Sequence, residues 1–238
     1  MNPLSDLRIR IFADGGDKAG MVELYKNPFI KGFTTNQTLL RKAGVKDYRA
    51  FAKEVLEAIP DRPVSFGVLS DDFIEMERQA LEIAGWGENV YVKIPVTNTR
   101  GDSSADLVRR LALRGVKQNV TALLTLDQVQ EIRPSLAGGP PSYISIFAGR
   151  IGDTGRDPMA LMAAAVNMLR PYPLIELIWA SPRELFNIFQ AEAVGCHIIT
   201  VTHDILQKLF LVGRDLQDYS LETVKMFYED ARKARYSV

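Results

Sequence analysis

The chain has 238 residues, 47% hydrophobic and 24% charged, an ordinary globular composition that excludes a disordered or collagen-like chain. Lys+Arg and Asp+Glu each number 29, so the formal net charge is zero, which argues against a nucleic-acid or membrane-surface protein. The single cysteine, Cys196, excludes a disulfide framework and fits a reducing compartment, and no run reaches the roughly 18 apolar residues of a membrane span.

The N-terminal stretch MNPLSDLRIRIFADGGD carries Arg8, Arg10 and Asp14 within or beside its apolar part, so no signal peptide is expected and a cytoplasmic protein is. Short β-like runs then alternate with longer helical patterns. The predicted strands are Arg8–Ala13, Gly32–Thr35, Pro63–Val68, Val90–Pro95, Lys117–Ala122, Tyr143–Phe147, Leu174–Trp179 and Cys196–Val201. Apolar residues at three- and four-residue spacing predict helices over Asp47–Ile59 and over 72–84. Helix starts are marked by Thr125 with Gln128, by Asp157-Pro158, and by Ser181-Pro182-Arg183-Glu184. Ser220 is the expected cap of a last helix running to about Arg235, whose Leu221, Val224, Met226, Phe227 and Tyr228 form an apolar stripe. That stripe packs either on its own barrel or on a neighbour. Eight strands, each followed by a helix, in about 240 residues predict a single-domain α/β protein, a (β/α)8 TIM barrel spanning 1–238. The alternative is a doubly wound open sheet.

Active sites of such barrels sit at the C-terminal strand ends. There the sequence gathers Asp14, Thr34-Thr35-Asn36, Lys93, Asn119 and Thr121, Ser145 to Arg150, and Ser181 to Arg183. Lys93 interrupts the apolar run Val90-Tyr91-Val92-Lys93-Ile94-Pro95-Val96. Two readings stay open on that pattern: a desolvated amine able to form a Schiff base, or a structural lysine that is ion-paired or snorkelling. Asp14 is either a general acid/base near that amine or the acid of an Asp-Gly-Gly turn. Thr34, Thr35 and Asn36 orient substrate hydroxyls or end a strand. Arg150 and Arg183, with Ser181 at a helix start, fit a phosphate. The competing reading pairs Arg150 with Asp153 and Arg183 with a nearby acid, and makes Ser181 a helix cap. No GxGxxG or Walker loop is present, since Gly15-Gly16-Asp17-Lys18-Ala19-Gly20 has neither spacing. Cys196, His197 and His203 lack a metal-ligand arrangement, so no metal is expected.

Taken in order, FADGGD at 12–17, GFTTNQTLL at 32–40, VYVKIPVT at 90–97, NVTALLT at 119–125, SIFAGRIGD at 145–153 and ASPRE at 180–184 resemble the transaldolase family. That family includes the short fructose 6-phosphate aldolases. The resemblance implies Lys93 as the Schiff-base lysine and Asp14 as the acid that handles the substrate hydroxyl proton. It implies Asn36 near the lysine beside Thr35, Thr121 as holder of the catalytic water, and Asn119 as its neighbour. Ser145 and Phe147 would line the pocket, and Arg150, Ser181 and Arg183 would hold phosphate.

Two positions depart from the family pattern. Gln37 replaces the usual proline of T-T-N-P, a change expected to affect loop stiffness more than chemistry. Gly67 stands on the third strand where the family has a Glu or Gln that positions the catalytic water, so the water relay is incomplete unless Asp71 or another group substitutes. Phe147 is the transaldolase residue; the aldolase branch has a tyrosine there. The resemblance thus implies a transaldolase that moves a dihydroxyacetone unit between sugar phosphates without metal or organic cofactor. It also implies small-molecule sugar phosphates as partners and a homo-oligomer. The alternatives are an aldolase that releases dihydroxyacetone and a catalytically weak sugar-phosphate-binding barrel.

Overall fold

Eight short runs rich in β-branched and aromatic residues become eight parallel strands in the computed structural model, which describes residues 4–235. Along the first half of the chain these are β1 Arg10–Asp14, α1 Lys18–Tyr25, β2 Ile30–Thr34, α2 Gln37–Lys42, α3 Tyr48–Ala58, β3 Val64–Gly67, α4 Phe73–Ala84 and β4 Val90–Pro95. There follow α5 Ala105–Leu113, β5 Gln118–Leu123, α6 Leu126–Leu136, β6 Ser142–Ile146, α7 Ala148–Asp153 and α8 Met159–Leu169. The chain continues through β7 Ile175–Trp179, α9 Phe186–Ala193, β8 Ile198–Thr202, α10 His203–Leu206, a 3-10 turn at Leu209–Leu211, and α11 Leu216–Ala234. β1 pairs with both β2 and β8, so the sheet closes into a (β/α)8 barrel and the open-sheet alternative is excluded. Each of the eight expected strands is present, and none is displaced by more than two residues at either end.

The two-residue period of the strands sorts their side chains into floor and site. Phe12, Tyr91, Tyr143, Ile178 and Ile198 form an apolar cluster separate from the larger core. Tyr91 and Tyr143 stack with centroids 4.1 Å apart, and Phe12 meets Tyr143 edge-on at 5.9 Å. Two residues further along the same strands, on the same face, come Asp14, Lys93, Ser145, Ala180 and Thr200, all of which line one cavity. The aromatic plug therefore excludes water from below and leaves the polar layer open only upward. The opposite strand faces, including Ile11, Val92, Ile144 and Leu177, form the larger core with Val55, Ala80, Leu111 and Ile132 of the surrounding helices. Each such large aliphatic side chain contributes about 1.5–3 kcal/mol by leaving water.

Several helix starts follow the sequence, and others are corrected. Asp47 and Asp72 cap α3 and α4, the latter accepting from the N–H groups of Ile74 and Glu75, both at 3.0 Å. Thr125 and Gln128 form the expected capping box on α6. At Asp157-Pro158 the helix begins one residue later than predicted. Asp157 Oδ1 accepts from Met159 N at 2.9 Å, while Pro158 takes the cap position. No helix starts at Ser181. Ser181 adopts a left-handed φ of 60°, and Asn187 Oδ1 instead gathers the N–H groups of Arg183 and Glu184 ahead of α9. The last helix begins at Leu216 rather than after Ser220, because the Asp215 carboxylate caps two N–H groups, those of Gln217 and Asp218. α11 has no buried residue, so its stripe of Leu221, Val224, Met226, Phe227 and Tyr228 is not covered by the described barrel. No helix among the described residues is long and apolar enough to cross a membrane.

Gly149 couples two loops at the rim of the barrel. A Cβ there would stand 1.5 Å from the Ser181 carbonyl oxygen and 2.7 Å from its carbon. Both are backbone atoms with little freedom to yield, so only glycine lets α7 rest against the loop after β7. Arg150, the next residue, lines the same cavity as Ser181.

Candidate active site

A cavity of about 610 Å³ opens at the C-terminal strand ends, with Asp14, Lys93, Thr121, Ser145 and Arg150 among its walls. Asp14 lies at the end of β1, in register with Thr34 of β2 and Thr202 of β8. Its Oδ1 accepts from Thr34 Oγ1 at 2.8 Å and its Oδ2 from Asn36 Nδ2 at 3.0 Å. Thr34 Oγ1 is itself 2.5 Å from Thr200 Oγ1. Asn36 also caps α2, accepting from Leu39 N at 2.9 Å, so helix capping fixes the amide that orients Asp14. Lys93 Nζ donates to the Thr35 carbonyl at 2.8 Å.

The two ionisable groups are shifted toward neutrality. Burial pushes the Asp14 carboxyl up, against the opposing pull of Lys93, Thr34 and Asn36. Burial pulls the Lys93 ammonium down, and the charge of Asp14 is what opposes it. Paired shifts toward neutrality in a cavity mark the two groups as candidates for acid–base or nucleophilic chemistry, unlike a solvent-exposed ion pair.

The remaining expected residues divide into those in the cavity and those beneath it. Asn36, Thr121, Ser145, Phe147, Arg150, Ser181 and Arg183 line it. Thr35 does not: its hydroxyl donates to the Ser65 carbonyl at 2.9 Å, and its contribution to the site is the carbonyl that receives Lys93. Asn119 is likewise buried below the cavity, donating to Ser65 Oγ at 3.1 Å and accepting from Ser145 Oγ at 2.7 Å. The sequence points to their positions but not to these supporting contacts. Thr121 Oγ1 is buried without a hydrogen-bond partner. It sits before Ala122, whose left-handed φ of 67° accompanies a register break between β5 and β6. Ala122 and Ser181 both line the cavity, so two of the three non-glycine residues with positive φ among the described residues lie at the site.

The far end of the cavity is cationic. Arg183 forms a bidentate ion pair with Asp153, its Nε donating to Oδ1 at 2.9 Å, and holds that carboxyl below its usual range. The pairing of Arg183 with a nearby acid is therefore present, while that of Arg150 with Asp153 is not. Arg150 instead lies over the Phe147 ring at 5.5 Å and makes no ion pair among the described residues. One guanidinium is thus braced and the other is open.

Asp71 does not take the place left by Gly67. Its carboxylate accepts from Thr99 N at 2.7 Å and Thr99 Oγ1 at 2.6 Å, and it is not part of the cavity wall. Thr200 and Gln37 line the cavity but were not expected there. The two-residue alternation on β8 could have placed Thr200 on the inner face. Gln37 follows a strand end and gives no periodic signal. Among the described residues no group of three His, Cys, Asp or Glu side chains could hold a metal ion. Cys196 is buried, its Sγ 3.3 Å from the Leu177 and Ile198 carbonyl oxygens, and burial pushes its thiol up to about 12.

The chain is similar to known proteins along most of its length. Residues 11–238 match the family model described as transaldolase/fructose-6-phosphate aldolase. A probable transaldolase of Thermoanaerobacter sp. is 34% identical over 206 residues, covering 86% of this chain and 88% of that protein. A probable transaldolase of Methanococcus maripaludis is 33% identical, covering 90% and 94% respectively. One of Dehalococcoides mccartyi is 32% identical, covering 84% and 90%. The crystal structure of 2,3-dimethylmalate lyase, a PEP mutase/isocitrate lyase superfamily member, superposes with a TM-score of 0.56 over 98% of this chain and 86% of that one. At 12% identity that likeness is one of fold alone. With a match running from β1 to the C-terminal end, the chain belongs to the transaldolase/fructose-6-phosphate aldolase family.

Proposed function

We propose that the protein is a transaldolase that moves a dihydroxyacetone unit from a ketose phosphate to an aldose phosphate through an imine on Lys93. The observation that carries this reading is the placement of the Lys93 amine and the Asp14 carboxyl in one cavity, each altering the other's protonation. The family membership and the names of the relatives support it.

The proton count closes over one cycle with Lys93 entering as the free amine and Asp14 as the acid. Nζ bonds to C2 of the ketose, and its proton passes to the C2 oxygen. That oxygen takes a second proton from Asp14 and leaves as water, giving a cationic imine and a carboxylate. The fixed positive charge of the imine then favours the ionised form of Asp14. Asp14 takes the C4 hydroxyl proton, the C3–C4 bond breaks, and its electron pair moves to C3 as the imine becomes an enamine. The first aldehyde leaves. C3 attacks the carbonyl carbon of an aldose phosphate, whose oxygen takes the proton back from Asp14. Water then adds to the new imine, Asp14 regains its proton, and the Nζ–C2 bond breaks. The lysine is the electron sink, so the cycle calls for no metal or organic cofactor.

Arg150 and Arg183 with Ser181 would hold the phosphate end, with Asp153 keeping Arg183 extended toward it. Phe147 offers no hydroxyl to protonate the enamine, which favours transfer over release. The reading is tested by consumption of fructose 6-phosphate with and without erythrose 4-phosphate. Turnover should depend on the acceptor. Equal turnover without it, with free dihydroxyacetone as product, would make the protein an aldolase instead.

Arg150 is the unpaired cation, so Arg150→Ala should raise KM for phosphorylated donors about 10- to 100-fold, the worth of a lost charged hydrogen bond. Unphosphorylated analogues should change little in the same steady-state assay; equal losses would place the phosphate elsewhere. A pH experiment tests the coupling of the buried pair. The charge of Asp14 raises the Lys93 pKa against desolvation, so Asp14→Asn lets burial act alone and lowers it further. Condensation of Lys93 with a 1,3-diketone, followed as the absorbing enaminone, rises with pH as the amine is freed. In Asp14→Asn that rise should come at lower pH, while sugar turnover falls about 10²- to 10⁴-fold. A rise at unchanged or higher pH would contradict the coupling.

A further inference from the structure

Gly67 ends β3 in register with Lys93 of β4, and neighbours in a parallel sheet present their side chains to the same face. Any side chain at position 67 would therefore enter the cavity. A Cβ there would stand 3.8 Å from Lys93 Cβ, but only 2.7 Å from Nε2 and 3.6 Å from Cδ of Gln37. The space a residue 67 side chain would occupy is already filled by a carboxamide arriving from the first residue of α2.

That carboxamide is held in one orientation. Nε2 donates to the Val68 carbonyl at 2.9 Å. Tyr48 pins the strand end from behind, its hydroxyl accepting from Gly67 N at 2.9 Å and donating to the Gly67 carbonyl at 3.1 Å. With Nε2 engaged, Gln37 Oε1 is an acceptor with no hydrogen bond among the described residues. On the other side of β4, Thr121 Oγ1 is buried and has no partner either. Both residues line the cavity with Lys93. Gln37 thus offers a held, unengaged acceptor beside Lys93, the kind of group that orients a bound water.

We propose that Gln37 is the positioning residue for the water that leaves and re-enters at the Lys93 imine. The inference rests on the lysine mechanism above, in which the C2 oxygen departs as water and a water oxygen later bonds to C2. A carboxamide does not take up a proton in this range. Gln37 therefore orients the water through Oε1, and Asp14 gives and receives the proton.

The test is exchange of the C2 carbonyl oxygen with ¹⁸O-labelled water, read by mass spectrometry above the uncatalysed rate. The ketones are fructose 6-phosphate and dihydroxyacetone. Gln37→Ala should slow exchange and kcat together by about 10- to 100-fold, the usual effect of misplacing a reacting partner, with KM changed far less. Gly67→Gln reaches the same volume from the other strand and should displace the Gln37 carboxamide, so it provides a second perturbation if one variant folds poorly. The double variant Gln37→Ala with Gly67→Gln should recover most of the exchange, a non-additivity that loss of a structural contact would not give. Gln37→Ala exchanging within about twofold of wild type, a difference of only about 0.4 kcal/mol, would overturn the inference. So would a double variant no better than Gln37→Ala. Wild-type protein that is folded but exchanges neither ketone would remove the lysine mechanism itself, and this inference with it.

Discussion

The opposed pair of Lys93 and Asp14 sets the requirements for the structure around it. A lysine and an aspartate taken out of water each lose hydration worth several kcal/mol, which their attraction offsets only with good hydrogen bonding. The barrel supplies that bonding from neighbouring elements. Thr34 and Asn36 saturate the carboxylate, and the Thr35 carbonyl receives the ammonium. Three consecutive residues at the end of β2 thus hold both members of the pair. The compensation is incomplete, as burial still moves both groups toward their neutral forms. The proposed mechanism draws on that uncompensated desolvation, which favours a free amine on Lys93 and a protonated Asp14.

The fold contributes a closed floor and a fixed rim. Stacked Tyr91 and Tyr143, with Phe12 at their edge, plug the barrel one layer below the reacting groups. The rim is set by the close approach of Gly149 to Ser181 and by the braced Arg183–Asp153 pair. Positive φ at Ala122, where the β5–β6 register breaks, and at Ser181, in the loop after β7, falls on the same cavity wall. Between floor and rim, the Gln37 carboxamide fills the space that a side chain at position 67 would enter.

Much of this was legible in the sequence because it depends on period and order. The strand pattern of β-branched runs identified the barrel, and the polar residues ending each run identified the site face. What escaped was whatever depends on contacts between distant segments. Thr35 and Asn119 look like site residues by position, yet their side chains support Ser65 and Ser145 from below. Ser181-Pro182-Arg183-Glu184 has the composition of a capping box, but Ser181 is left-handed and packs closely on Gly149, and Asn187 receives the N–H groups of Arg183 and Glu184. In the sequence Gln37 reads only as a proline replacement, because its placement depends on the absence of a side chain thirty residues away at Gly67.

The central claim is that Lys93 carries the substrate as an imine. Reduction of the protein with borohydride in the presence of fructose 6-phosphate, followed by peptide mass spectrometry, tests it most directly. The account predicts a three-carbon adduct on the peptide containing Lys93 and none elsewhere. A folded protein that acquires no adduct, or acquires it on another lysine, would contradict it.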